Sequence, residues 1–200
     1  MDIHVISNGK LSLAKFAHIA SQINDYVDYF HLREKHRPAA EIVEGVIQLL
    51  DEGIPPHKII VNDRVDVAVA VNATGVQLAY NSLSVEAVKK AFPNLYVGKS
   101  IHSVSEAQEA ASAGADYVLY GHVFRTASKA GLSARGITSL KEVVKSINIP
   151  VIAIGGIKPE NVQQVVEAGV KGIAVMSGVL EAANPLSAIE SYVMEGAKEK

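Results

Sequence analysis

Short apolar, β-branched or aromatic runs alternate with longer stretches of helical periodicity from one end of the chain to the other. The runs are IHVI (3–6), YFHLR (29–33), KIIVN (58–62), GVQLA (75–79), YVGKSI (96–101), YVLYG (117–121), VIAIG (151–155) and GIAVMS (172–177). Between them apolar side chains recur three and four positions apart, as in Leu13, Phe16, Ala17 and Ala20, or Ile42, Val46, Leu49 and Leu50. That spacing is the stripe of a helix laid on a sheet. Cap residues agree: Ser84 opens one helix with Glu86 in its first turn, Ser103 and Ser105 open another, and Pro159 stands near the start of a third. Gly53, Gly114 and Gly169 fall where helices end and a left-handed residue is wanted.

Strand and helix therefore alternate eight times, which predicts an α/β protein: a single-domain (βα)8 TIM barrel over residues 1–200. The runner-up is an open, doubly wound sheet. It would want a G-x-G-x-x-G turn after the first strand, and NGKLS there has one glycine.

Composition narrows the partner. A chain of 200 residues, 48% hydrophobic and 20% charged, can bury one core. Its formal charge of −2 is spread without long blocks of one sign, which leaves no basic stripe for nucleic acid and no polybasic membrane anchor. A small-molecule partner is expected. No cysteine is present, so disulfides, thiolate nucleophiles and cysteine zinc sites are excluded. MDIHVIS lacks the layout of a signal peptide, and no apolar run approaches the ~20 residues of a membrane helix, so a soluble, cytoplasmic protein is expected.

A barrel of this kind places its site at the carboxyl ends of its strands. The residues there are Ser7 and Asn8, Arg33 and Lys35, Asn62 and Asp63, Gln77, Ser100 and His102, His122, Gly155 and Gly156, and Ser177 and Gly178. The two glycine turns after strands 7 and 8 can aim backbone N–H groups at a phosphate, or can be tight turns without a ligand. Strand parity in HLREK puts His31, Arg33 and Lys35 toward the barrel axis if Phe30 and Leu32 face the helices. Two cations there need an anionic ligand or an ion pair with Glu34 or Asp63. Of seven histidines, His18, His36 and His57 read as solvated, and His4 and His31 as core or lower-barrel groups. His102 reads as a site residue or the start of a helix. His122 ends an apolar strand, where an imidazole can serve as acid and base near neutrality. No metal site emerges: Asp63 and Asp66 lie one helical turn apart, and YNSLS after strand 4 adds no carboxylate. No G-x-S-x-G elbow is present.

HLREK, NDRVDVAVA with GVQLA, GKSIHS, GADYVLYGHVFRTASKAG, IPVIAIGGI and GVKGIAVMSGV follow one another in the order and spacing of one known group. Over roughly residues 3 to 190 the chain resembles the thiamin-phosphate synthase superfamily. The resemblance implies the barrel fold, a phosphorylated thiazole as ligand and a homodimer. The synthase branch joins a thiazole phosphate to a pyrimidine pyrophosphate with magnesium. Two positions depart from it: Ser82 replaces an aspartate that helps hold the metal, and His122 replaces a proline. The second departure resembles the TenI-type thiazole tautomerases, which need no metal or cofactor. That branch implies an isomerase that aromatises a carboxythiazoline phosphate, with His122 as proton shuttle. The same resemblance implies Gly155, Gly156, Ser177 and Gly178 as phosphate clamp. Arg33, Lys35, Asn62, Ser100, His102 and Lys129 would line the substrate. The alternatives are the magnesium-dependent synthase and a non-catalytic barrel that binds thiazole phosphates.

Overall fold

β1 (Asp2–Ile6) pairs on one side with β2 (Tyr29–Leu32) and on the other with β8 (Gly172–Val175), both parallel, so the sheet closes on itself. The structure, a computed structural model, describes residues 1–126 and 131–197. Around the ring β3 (Ile59–Asn62), β4 (Gly75–Leu78), β5 (Tyr96–Ile101), β6 (Tyr117–Gly121) and β7 (Val151–Ile154) follow in chain order. The expected (βα)8 barrel is what forms. Each strand stands where an apolar run predicted it, and several end one or two residues early; β2 stops at Leu32, for example, short of Arg33.

Helices α1 (Leu13–Ile23), α2 (Ala39–Asp51), α3 (Val65–Ala70), α4 (Val85–Ala91) and α5 (Val104–Ser112) cover the first five strands. α6 (Gly136–Ser146), α7 (Pro159–Val166), a short α8 (Ser177–Leu180) and α9 (Pro185–Gly196) complete the coat. Ser84 and Ser103 accept the backbone N–H of Ala87 and Glu106 at 3.2 Å each, capping α4 and α5 as predicted. The predicted α2 stripe is buried at Ile42, Val46 and Leu49, whereas Leu50 turns outward and is 37% exposed.

Two apolar layers result. Outward-facing strand residues such as Phe30, Leu32 and Val118 pack against the helices, with Phe16 of α1 edge-on to Phe30. Inward-facing Ile6, Ile60, Leu119, Ile152 and Ala174 fill the barrel axis beside Tyr117. That axis is a packed core rather than a pore, and it also buries His4, His31 and Gln77. Among the described residues, no helix is long and apolar enough to cross a membrane.

Candidate functional site

The glycine turns are built by close approach of the chain to itself. Val123 N–H donates to the Ile154 carbonyl and Phe124 N–H to that of Gly155, both at 2.9 Å, so the chain after β6 runs beside the end of β7. A Cβ on Gly155 would fall on His122, and one on Gly156 on the Arg125 carbonyl; both glycines have positive φ, 103° and 66°. Beyond them Asn161 donates to the Gly156 carbonyl at 3.0 Å and accepts the Lys158 N–H at 2.9 Å, turning the chain into α7. Ser177 and Gly178 open α8, and the first N–H groups of a helix have no partner within it. A Cβ on Gly178 would strike the Tyr192 hydroxyl. That hydroxyl donates to the Ile157 carbonyl at 3.0 Å, and burial pushes its pKa up to about 12. Tyr192 of α9 thus supports both turns. Its partner lies 35 positions away, so no local pattern announces it.

His122 follows β6 and is 8% exposed, its Nε2 3.4 Å from the Leu132 carbonyl. The chain returning toward α6 packs on it: Arg135 N–H donates to the His122 carbonyl at 3.1 Å and Arg135 Nε to that of Gly121 at 3.0 Å. Lys129 lies outside the described residues.

On the side of β8 away from β7, β1 and β2 deliver Ser7 and Arg33. Arg33 is half-buried, and burial lowers the pKa of its guanidinium while the charge of Glu34 opposes the shift. Among the described residues no hydrogen bond or ion pair reaches that guanidinium. Of the two alternatives for the strand-end cations, an anionic ligand or an ion pair, the Glu34 carboxylate does not supply an ion pair to Arg33 among the described residues: it accepts from Ser7 Oγ at 2.7 Å and from Arg37 Nε at 3.1 Å. The parity expected of HLREK also fails beyond Leu32. The strand has ended, Glu34 is buried, and Lys35 lies exposed in a turn rather than along the barrel axis. His31 does face inward, where it meets His4.

On the next pair of strands Asn62 stands opposite Gln77, whose Nε2 donates to Ser100 Oγ at 3.0 Å. Ser100 is thereby fixed on the inner face of β5. Lys99, on the same strand, donates to the Ala79 carbonyl at 2.7 Å, and burial lowers its pKa against the pull of Glu106. His102 belongs to the start of α5: its N–H donates to Glu106 at 2.7 Å, and its Nδ1 lies 2.6 Å from the Ile101 carbonyl. It lines a cleft of about 370 Å³ with Tyr120, Arg135 and Glu142, between α5 and α6. Neither Arg33 nor the glycine turns line that cleft.

Asp63 adopts φ 67°, a left-handed conformation that aspartate tolerates better than most side chains. Its carboxylate accepts from Ser82 Oγ, which in turn accepts the Ala79 N–H at 2.7 Å. Asp66 is engaged by Arg64 at 2.9 Å. The magnesium implied by the synthase resemblance would want carboxylates here. Asp63 stands alone with a hydroxyl as neighbour, and among the described residues no three histidine or acidic side chains cluster for a metal. This donor set does not fit a protein-built magnesium site.

The fold and mouth together define a (βα)8 barrel with its polar groups gathered at the carboxyl ends of the strands. The family is more specific. A model of the TMP-TENI family, described as thiamine monophosphate synthase, matches residues 3–179, and the chain belongs to that family. A protein named thiamine-phosphate synthase from Pyrococcus horikoshii is 38% identical over 183 residues, 90% of this chain and 87% of its own. Another of that name, from Pyrococcus abyssi, is 48% identical over 130 residues; the match covers 65% of this chain and 63% of that protein. The solved thiamine phosphate pyrophosphorylase of Pyrococcus furiosus superposes with TM-score 0.83 at 34% identity, over 98% of this chain and 95% of that one. A 3-hexulose-6-phosphate synthase, TM-score 0.76 at 19% identity, shares the fold alone.

These relatives overturn the expectation of a thiazole tautomerase working by histidine-mediated proton transfer: they are named synthases, not isomerases. That expectation leaned on two positions, whereas the likeness to proteins named synthases runs over 183 residues. Both positions also have local structural work: Ser82 ties the turn after β4 to Asp63, and His122 lies against Gly155.

Proposed function

We propose that the chain is a transferase of the thiamine-phosphate synthase type, joining a phosphorylated thiazole to a pyrimidine that carries a pyrophosphate. The observation that carries this reading is the 38% identity to a protein of that name over 90% of the chain. The mouth supports it with two regions suited to anions, at the ends of β7 and β8 and of the neighbouring β1 and β2. Gly155, Gly156, Ser177 and Gly178 are read as the clamp for the thiazole phosphate, since glycine-rich turns at a helix start can offer backbone N–H groups to an anion without a side chain in the way. Arg33, with Lys35 at the rim, is read as the ligand of the pyrophosphate. Charge builds on that group as it leaves, and a cation held in a half-dry site stabilises it more than one in water. Asn62 and Ser100 are read as orienting the ring between the two regions, and Lys129 as a further substrate contact.

The test is direct incubation of the protein with both substrates, with and without magnesium, following thiamine phosphate and released pyrophosphate. Formation of both products in equal amounts is expected. A folded protein that forms neither would overturn the reading.

A further inference from the structure

Ser7 and Glu34 lie beneath Arg33 and make no contact that the proposed reaction uses. Both are buried, Ser7 at 1% exposure and Glu34 at 6%. Ser7 Oγ sits between two partners: it donates to Glu34 at 2.7 Å and accepts the Arg33 backbone N–H at 2.8 Å. A hydroxyl has one proton, so fixing it on the carboxylate leaves its lone pairs to hold the Arg33 N–H. Ser7 N–H continues the ladder to the His31 carbonyl at 2.9 Å, which ties the end of β1 to that of β2. The carboxylate is fixed from its other side by Arg37, which also bonds Glu41 of α2 at 2.7 Å. Arg33 is therefore the first residue past β2, and its backbone is held by a side chain rather than by a strand partner.

We infer that Ser7 and Glu34 are positioning residues for Arg33: the buried serine–carboxylate pair sets where the guanidinium enters the barrel mouth. The inference rests on the reading of Arg33 as an anion ligand, and it specifies how that ligand is placed. Glu34 offers the substrate nothing. A carboxylate beside an anion site repels the ligand unless its charge is spent internally, and here Ser7 and Arg37 spend it.

The experiment uses the intact chain and inorganic pyrophosphate. Calorimetric affinity is measured for wild type, Ser7→Ala, Ser7→Thr, Glu34→Gln, Arg33→Ala and the Ser7→Ala/Arg33→Ala pair. The NMR signal of the Arg33 Nε–H is recorded in the unliganded proteins. Ser7→Ala and Glu34→Gln are expected to weaken pyrophosphate by about tenfold, the scale of one charge-assisted hydrogen bond. Ser7→Thr, which keeps the hydroxyl, should restore binding, and the double variant should bind no worse than Arg33→Ala. An equal further loss in the Arg33→Ala background would overturn the inference, because the serine would then act independently of the arginine. So would an Arg33 signal unchanged in Ser7→Ala and Glu34→Gln, whichever of the two folds well enough to measure. If wild type binds no pyrophosphate yet its Arg33 signal is sharp and is lost in the variants, the positioning stands and the anion-ligand reading falls.

Discussion

The imidazoles of His4 and His31 share a 2.9 Å hydrogen bond inside the barrel, Nδ1 to Nε2, with the rings of Tyr29 and Tyr117 packed against His4. Burial depresses both histidines, His31 to about 3 and His4 well below its ordinary value, with the neighbouring charge of His31 as a further cause for His4.

A pH dependence of stability follows. Unfolded histidine titrates near 6.5, so above that pH neither state is protonated at these sites and they add no slope. Between about 6.5 and about 3 the unfolded chain takes up protons that folded His31 refuses, so stability falls as pH falls. The limit is about 1.4 kcal/mol per pH unit for each histidine. Urea unfolding at intervals from pH 7.5 to 4.5 should show this slope. The His4→Gln/His31→Gln variant should flatten it whatever its own absolute stability, and an equal slope in the variant would refute the assignment.

Tyr192→Phe removes the donor to the Ile157 carbonyl and leaves that oxygen buried without its partner. A loss of about 1–2 kcal/mol is expected in denaturant unfolding. Gly178→Ala would press a methyl group on the same hydroxyl, so the two changes should couple. In a double-mutant cycle Gly178→Ala should cost clearly less in the Tyr192→Phe background than in wild type, and strict additivity would show that the hydroxyl is not what confines position 178.

How much of this was legible differs between elements for physical reasons. The strands and caps could be read because periodicity, serine caps and terminal glycines are local signals, and Ser84, Ser103 and Gly53 behave accordingly. The placement of Lys35 could not, because alternation holds only while the ladder lasts, and nothing in HLREK marks where it stops. Burial of Glu34 was equally hidden, since it depends on Ser7, 27 positions earlier, and on Arg37 from the following turn. Activity is poorly legible at Ser82 and His122, because two substitutions at a site say less than likeness over the whole barrel. In the structure each of those residues is tied to its own surroundings, Ser82 by hydrogen bonds and His122 by packing.

Ser82→Asp provides a gain-of-site test of the metal argument. It sets a second carboxylate against Asp63 in place of the hydroxyl that now donates to it. Two like charges at that distance should lower the melting temperature at neutral pH, because the donor has become a repulsive neighbour. Two carboxylates with room for water are what a hard divalent cation takes. Millimolar manganese should therefore restore the melting temperature of Ser82→Asp and leave wild type unmoved. A manganese-dependent rise of equal size in wild type would mean that Asp63 binds the cation without a second carboxylate.

Arg33 should trade stability against binding. Its guanidinium is half-buried without a hydrogen-bonded partner among the described residues, and the carboxylate whose charge it feels, Glu34, is already held by Ser7 and Arg37. A charge partly removed from water and left unpaired destabilises the free protein, and an apolar side chain of similar length relieves that strain. Arg33→Met is therefore expected to raise the melting temperature of the unliganded protein. Pyrophosphate at a hundred times its dissociation constant should stabilise wild type by about 2.7 kcal/mol, because it binds the folded state alone. The same concentration should leave Arg33→Met nearly unmoved. A variant that is both less stable and equally responsive to pyrophosphate would show that Arg33 is satisfied within the fold and is not kept for an anion.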